Sequence, residues 1–477
     1  MMVDPPERLP TLHELGHLHL VGIGGVAMSA IARYAFERGL TVSGSETRES
    51  AVVDGLAALG ITCYRGHRPA NLDGADTVVV STATPDDNVE VVEARRRGLP
   101  LLHRGTATAA LAAGFRTVAV AGAHGKTSTC AMLATALAAE GDDPSFIVGG
   151  VMVTTGTNAH AGTGPDFIIE ADESDGAFLQ LSPTVAMVTN VDPDHLELYG
   201  DDPAAYHAAF DTFADRIVDG GVLIACIDDP GSRALAERAA ARGIRVVRYG
   251  EDEQADIVFD RLELRELSSR LRIRRGTEVI GELELAVPGR HFASNAVGAV
   301  AVLLELGRPR DLAVAGIAGY GGTRRRFEFK GAANYRDGSV RVFDDYGHHP
   351  TEMVATLTAA RRAAGAGRVV VLFRPLRHTR TLRMGEQLGH ALELADAVVV
   401  LDPSGDAVID GVDGTMVADH VGLPAGAVVY ESDFDAGPAR VAALVEPGDL
   451  VVTLGAGDVA VAGPALLGLL DPTQAGR

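Results

Sequence analysis

The chain has 477 residues, 47% of them hydrophobic, and a net charge of -22, which gives apolar matter for several cores and a prior of about two to four domains. Such an acidic balance argues against nucleic acid or an anionic membrane as the main partner, because both are polyanions. An anionic metabolite is still admissible where basic groups gather in a cleft. Three scattered cysteines, Cys63, Cys130 and Cys226, lack metal spacing and fit a reduced, cytoplasmic compartment. No apolar run approaches membrane-spanning length, and the polar, proline-punctuated start MMVDPPERLPTLHELGH is not a signal peptide. Lysine occurs only at Lys126 and Lys330. A lysine kept in so arginine-biased a chain points to chemistry that arginine cannot do.

In chain order, HLHLVGI reads as a strand, followed by a glycine turn and the helix SAIARYAFERG. Gly22, Gly24 and Ala27 fit G-x-G-x-x-A, a cradle for a pyrophosphate at a helix N-terminus. The turn alone does not say which pyrophosphate, and a nicotinamide dehydrogenase is one reading of it. LTVSGS and DTVVVSTA are further strands, and VEARRRG is a helix. A first boundary falls near Thr106 to Phe115, in GTATAALAAGF.

RTVAVAG then opens the most specific stretch: strand, Gly122-Ala123-His124-Gly125-Lys126-Thr127, then the helix STCAMLATALAAEG. Backbone N–H groups here form an anion cradle, Lys126 can reach β/γ-phosphates, and the Thr127 hydroxyl can ligate Mg²⁺. Val120 stands where a full Walker A loop has glycine, so this is a shortened relative. The strand DFIIEAD ends in Glu170, Asp172, Glu173 and Asp175, carboxylates that repel unless a cation or solvent relieves them. The strand TVAMVTNV leads to Asn190, Asp194 and His195. PAAYHAAFDTFADRI reads as a helix and GGVLIACI as a strand, and residues 250–288 alternate like antiparallel hairpins inside the middle domain.

VPGRHFASNAVGAV starts a helix with His291 and Asn295 at i, i+4, on one face. GGTRRRFE places Arg324, Arg325 and Arg326 at a second boundary, near Gly319 to Gly322, where an arginine aimed at a γ-phosphate can couple closure to phosphoryl transfer. VRVFDDY, RVVVLF, DAVVVLD and DLVVTLGAG are the strands of a last α/β unit. DDYGHHPTE and FRPLRHTRT follow two of them and suit a carboxylate or phosphate.

These motifs in this order resemble the Mur ligases over nearly the whole chain: GIGGVAMS, GSE, GAHGKTS, EADESD, TNVDPDH, GRHFASN, RRRFE, DDYGHHPTE and GDLVVTLGAGD. The nearest match is the branch that adds L-alanine. The resemblance implies an α/β protein of three domains. These are a Rossmann-like domain for the UDP-substrate (residues 1–111), a central P-loop-type ATPase domain with a mostly parallel sheet (112–320) and a Rossmann-like amino-acid and ATP-closing domain (321–477). It implies ATP-dependent joining of L-alanine to the carboxylate of UDP-N-acetylmuramate through an acyl phosphate, with Mg²⁺, in the cytoplasm, by a monomer or weak homo-oligomer. The first glycine turn then holds UDP and not NAD.

The residues implied for ATP are Gly122, Ala123, His124, Gly125, Lys126, Thr127, Ser128, His291, Asn295, Arg326 and Asp345. For the UDP-substrate they are Gly22, Gly24, Gly25, Val26, Ala27, Met28, Ser45 and Glu46; for the amino acid and muramoyl group, Tyr346, His348, Arg377 and Arg380. Thr127, Glu170 and His195 are implied as metal ligands, and Lys126, His195, Arg326 and His348 as catalytic. Four departures from the family pattern stand out. Arg374 and Leu376 replace Gln and His of FQPH; LDPSGDAV is a shortened DVYxAxE; AHGKTS replaces THGKTT; and Phe292 replaces an asparagine. They leave two other readings open: a sister ligase for another amino acid or a recycled peptide, and a catalytically weakened paralogue. Arg374, with its longer fork, is expected to compensate for the lost histidine.

Overall fold

Short apolar runs buried on both faces require helices on both sides of a sheet, and this governs all three sheets of the computed structural model, which describes residues 8–471. Residues 1–7 of the polar start lie outside the described residues. The first sheet is parallel, with β1 (Leu18–Val21), β2 (Val42–Glu46), β3 (Thr62–Arg65), β4 (Thr77–Val80) and β5 (Leu101–His103) in the order β3-β2-β1-β4-β5. Its order reverses between β1 and β4, the switch point at which such sheets place ligands.

The second sheet contains β6 (Arg116–Ala121), β7 (Ser145–Ile147), β8 (Ala159–His160), β9 (Asp166–Glu170), β10 (Val185–Val188), β11 (Val222–Cys226), β12 (Val246–Gly250), β13 (Ile257–Leu264), β14 (Ser269–Arg275) and β15 (Glu278–Leu285). Their order is β15-β14-β13-β12-β11-β10-β6-β9-β7-β8. From β7 to β13 the pairings are parallel, and β8 is antiparallel to β7. The strand feeding the phosphate loop, β6, is thus central, between β9 and β10. Register sets the ends level: Val120 lies opposite Glu170, and Ala121 opposite Val188.

The third sheet has β16 (Glu328–Tyr335), β17 (Gly338–Asp345), β18 (Val369–Phe373), β19 (Ala397–Leu401), β20 (Val428–Glu431) and β21 (Leu450–Leu454) in the order β16-β17-β21-β18-β19-β20. Only the edge strand β16 is antiparallel to its neighbour. Three α/β domains are present, one per sheet.

The chain forms two compact units. One takes the described residues up to Arg261 with Leu271–Leu283 and Ser294–Tyr320; the other takes Leu262–Arg270, Glu284–Ala293 and the described residues from Gly321. The hairpin region, read as part of the middle domain, is therefore shared between units. The first two sheets share one apolar core, which runs from Leu15 and Tyr34 to Phe167 and Phe213. Tyr34 of the helix Val26–Glu37 stacks on Phe167 of β9 at 4.7 Å. GTATAALAAGF, read as a boundary, is mostly the helix Arg104–Ala112, buried from Gly105 to Ala112. A Cβ on Gly105 would lie 2.8 Å from the Ala177 Cα, so glycine lets this helix sit directly on the second sheet's chain.

Candidate active site

The phosphate loop is held open by two glycines that tolerate no side chain. Gly122 has φ +128 and Gly125 φ +86. A Cβ on Gly122 would lie 2.2 Å from Thr189 Oγ1, and one on Gly125 2.7 Å from Asn295 Oδ1. The strand-end residues after β10 tie the loop down: Thr189 Oγ1 and Asn190 Nδ2 donate to His124 O, and His124 N donates to Asn190 Oδ1. The helix Lys126–Ala139 starts at once, with Thr127 and Ser128 buried in its first turn. Gly122 to Ser128 are therefore one structure, and Asn295 is packed against it.

Lys126 Nζ donates to Gly122 O at 2.6 Å, to Ala123 O at 3.2 Å and to Glu173 Oε2 at 2.6 Å. Burial opposes its charge, but Glu173, Asp172 and Glu170 outweigh that and hold the ammonium above its ordinary pKa. The loop thus carries its own counterion. The Glu173 carboxyl is pushed upward by burial, with Lys126 opposing.

Three of the four crowded carboxylates are relieved by the protein itself. Arg104 donates to Asp175 at 2.7 Å and to Asp172 at 2.6 Å, and His103 Nε2 is 3.2 Å from Asp175. The fourth, Glu170, meets the first turn of the helix that follows the loop. Its Oε2 accepts from Thr127 Oγ1 at 2.9 Å and from Gly149 N at 2.7 Å, and a Cβ on Gly149 would lie 2.6 Å from either carboxylate oxygen. A hydroxyl and a carboxylate at a helix N-terminus are hard oxygen donors of the kind a divalent cation takes. His195 adopts φ 53, with its ring beside Asp194 (3.6 Å) and Glu197 (3.7 Å).

The first glycine turn is built differently. Gly22, at φ +76, and Ile23 donate N–H groups to Ser45 O at 2.9 and 3.0 Å. Gly24 N donates to Glu46 Oε2 at 3.2 Å, and Glu46 Oε1 also accepts from Thr47 N and Arg48 N. Val26, Ala27 and Met28 form the first turn of the helix Val26–Glu37, behind an N-cap Gly25 that has no side-chain cap. Ser45 is fully buried, and its hydroxyl is taken up by Glu90 at 2.5 Å.

In the second unit the loops after β17, β18 and β21 leave one sheet edge, since Asp345 and Phe373 both lie opposite Leu454. Arg326 sits over the Tyr346 ring at 5.0 Å, and Tyr346 meets His348 edge-on at 5.2 Å. Burial pushes the Asp345 carboxyl up to about 6, with Arg326 opposing. Burial, reinforced by Arg326, draws His291 down to about 4. Asp345 accepts from Gly347 N, Phe327 N and Thr356 Oγ1. Arg325 is a strut: it donates to Asp344 and to the carbonyls of Gly455 and Gly457. Arg377, at φ 64, and the buried Arg380 open the helix His378–Leu392.

Arg374 does not take a lost histidine's place. Its Nη1 donates to Asp458 at 2.6 Å, its Nε to Asp402 O at 3.2 Å, and the guanidinium lies 4.6 Å from the Phe434 ring centroid. Leu376 pairs with Ser404. Within LDPSGDAV, Asp406 caps the helix His378–Leu392, accepting from His378 N at 2.6 Å and Thr379 N at 3.2 Å. Arg104 and Asp406 were not legible as site-builders, and Glu173 was read only as one of four crowded carboxylates, not as the partner of Lys126. Each is a common charged residue whose partners are distant in sequence; Asp406 lies 28 residues from the His378 amide that it accepts.

The chain matches the Mur ligase family in three stretches: residues 17–116 (Mur ligase family, catalytic domain), 120–303 (Mur ligase middle domain) and 325–457 (Mur ligase, glutamate ligase domain). It is 49% identical to the UDP-N-acetylmuramate–L-alanine ligase of Acidothermus cellulolyticus, covering 97% of each chain. With the enzyme of that name from Saccharopolyspora erythraea it shares 50% identity, over 95% of this chain and 93% of the relative. The crystal structure of UDP-N-acetylmuramate-alanine ligase from Thermotoga maritima superposes with a TM-score of 0.81 at 27% identity, covering 97% of this chain and 100% of that one.

Proposed function

This chain belongs to the Mur ligase family, and from that premise we infer that it is an ATP-dependent, ADP-forming ligase joining L-alanine to the carboxylate of UDP-N-acetylmuramate in peptidoglycan precursor synthesis. The observation that carries this reading is 49% identity over 97% of both chains with a ligase of that name. A carboxylate is a poor electrophile. Its attack on the γ-phosphorus of ATP gives an acyl phosphate and ADP; the amine of L-alanine then adds to the acyl carbon, and phosphate leaves.

We propose that residues 1–111 hold the UDP-substrate through Gly22, Gly24, Gly25, Val26, Ala27, Met28, Ser45 and Glu46. Residues 112–320 bind ATP through the loop Gly122 to Ser128 with Asn295. Residues 321–477, with His291, supply Arg326 and Asp345 to the nucleotide, and Tyr346, His348, Arg377 and Arg380 to the amino acid and muramoyl group. Lys126 leaves Glu173 for the phosphates as a compact charge, and Arg326 stabilises the moving phosphoryl group. The oxygen donors of Thr127 and Glu170 fit Mg²⁺, with His195 as a third ligand; the ion, when bound, neutralises phosphate charge. His195 and His348 are the candidates to take the amine's proton. Among the described residues no helix is long and apolar enough to cross a membrane. We propose a cytoplasmic enzyme, monomeric or weakly self-associating.

The test is phosphate release with ATP, Mg²⁺ and UDP-N-acetylmuramate against a panel of amino acids and a stem tripeptide. L-alanine is expected to give the highest kcat/KM. A peptide or a larger amino acid as the better acceptor would replace this reading with that of a sister ligase.

A further inference from the structure

Behind the first glycine turn lies a buried carboxylate to which the reaction assigns no role. Glu90, on the helix Val89–Arg97, has no solvent exposure. It accepts from Ser45 Oγ at 2.5 Å, Asn71 Nδ2 at 2.6 Å and Arg68 N at 3.2 Å; His67 Nδ1 is 3.1 Å away and His19 Nε2 3.6 Å. Burial alone would raise its pKa, but the neighbouring His19 ring and hydrogen bonds from Ser45 and Asn71 hold it down at about 2. Its partners come from β1, the end of β2, the loop after β3 and the short helix Pro69–Leu72.

A buried ion is costly, and a well-packed apolar side chain often serves stability as well. What this ion does is join segments. Ser45, held through its hydroxyl, accepts the Gly22 and Ile23 amides on its carbonyl. Asn71 also donates to Gly66 O at 3.0 Å, and Gly66 N donates to Glu46 O at 2.8 Å. Glu46 in turn takes the Gly24 amide. One carboxylate therefore ties together the glycine turn, the end of β2 and the 66–71 loop, all at the carboxyl edge beside the β1/β4 switch point. His67 is the part-exposed member of the group, at 22%.

We propose that Glu90 is a positioning residue for the UDP-substrate, fixing the glycine turn and the His67 loop in the geometry that receives it. This rests on the reading of the first domain given above. Glu90→Gln keeps the shape, removes the charge and puts an amide donor among donors. UDP-N-acetylmuramate KM, and its Kd measured calorimetrically without ATP, are expected to rise about tenfold, with kcat and the ATP KM changing less than about twofold. Asn71→Ala, which cuts one arm and leaves the charge paired, is expected to move the same two constants by about threefold, and it decides the matter should the Gln variant not fold. Unmoved substrate affinity in a folded variant, or an equal loss in every constant alongside a lower Tm, overturns the proposal. Parent protein that binds UDP-N-acetylmuramate neither alone nor with a non-hydrolysable ATP analogue overturns both the proposal and the reading of the domain beneath it.

Discussion

The compact unit that ends at Tyr320 holds two strand–glycine–helix turns, at Gly22–Val26 and Gly122–Lys126, built from the same local grammar and charged in opposite ways. Behind the first stands a carboxylate, Glu46, bonded to a loop amide, with a second, Glu90, held ionised beneath it. Behind the second stands an ammonium, Lys126, pinned to loop carbonyls and to a carboxylate that burial pushes toward neutrality. A helix N-terminus offers the same donors in both. Under the proposed function, what would separate a turn that receives the UDP pyrophosphate from one that handles a triphosphate is the charge stationed behind the glycines.

The comparison breaks most sharply at Lys126. Lys126→Ala is expected to lower kcat/KM by roughly 10³-fold or more, read as L-alanine-dependent phosphate release. It also strands Glu173, which is 1% exposed, at a cost of about 3–5 kcal/mol. Adding Glu173→Gln should recover Tm but not turnover. Recovery of turnover would mean the lysine serves only the fold.

Alanine at the two φ-positive glycines should separate the turns next. At Gly122 a Cβ meets Thr189 at 2.2 Å, so Gly122→Ala is expected to abolish ATP binding and lower Tm. At Gly22 nothing lies within 4 Å, so Gly22→Ala should cost only the left-handed strain of about 1–2 kcal/mol by chemical denaturation.

The acidic strand end gives a smaller contrast. Glu170→Ala should raise the Mg²⁺ concentration for half-maximal activity about tenfold or more, with Tm nearly unchanged. Asp175→Ala should leave the Mg²⁺ requirement alone and lower Tm, because Asp175 is buried against Arg104 and His103.

The pH response is expected to be smallest. Glu90 is depressed from 4.5 to about 2, so its contribution is complete above the ordinary value and is lost as pH falls toward 2. Glu173 is raised, so its effect runs the other way: stability is favoured at low pH and lost as pH rises through its folded value. Denaturation between pH 4.5 and 2 should show Glu90→Gln flattening the acid loss by about 1–3 kcal/mol, an effect Glu173→Gln does not reproduce.

Much of this was readable before any coordinates. β6, β9 and β10 announce themselves as apolar runs ending in polar residues, and the glycines of the loop between β6 and its helix mark a tight strand-to-helix turn. β3, β5, β7, β8, β12, β16 and β20 were not read: LLH, SFI and AH are too short to show a period, and TCYR, VVRYG, EFKGAANY and VVYE interrupt theirs with charged, polar or glycine positions. At the boundary segment the sequence did not show a helix: alanine and glycine carry no period, yet they are what a helix needs to sit flat against a neighbour, as Gly105 does on Ala177. Glu90 sits in VEVVEARRR as an ordinary helix glutamate. Its partners lie 19 to 71 residues away, at Asn71 and His19, and only the fold brings them together. Arg374 shows the same limit: it was expected to stand in for a lost histidine, but its guanidinium is held by Asp458 and Phe434, which no local pattern pairs with it.

The pairing of Lys126 with Glu173 also makes the chain unusually easy to interrogate covalently. Amine-reactive reagents need a neutral, accessible amine. Lys126 is 10% exposed and held protonated, whereas Lys330, bonded to Glu328, is 24% exposed, and the sequence holds no other lysine. An acylating probe therefore meets a single-lysine background at Lys330, and adducts at Lys126 count the moments when the loop lets go of its counterion.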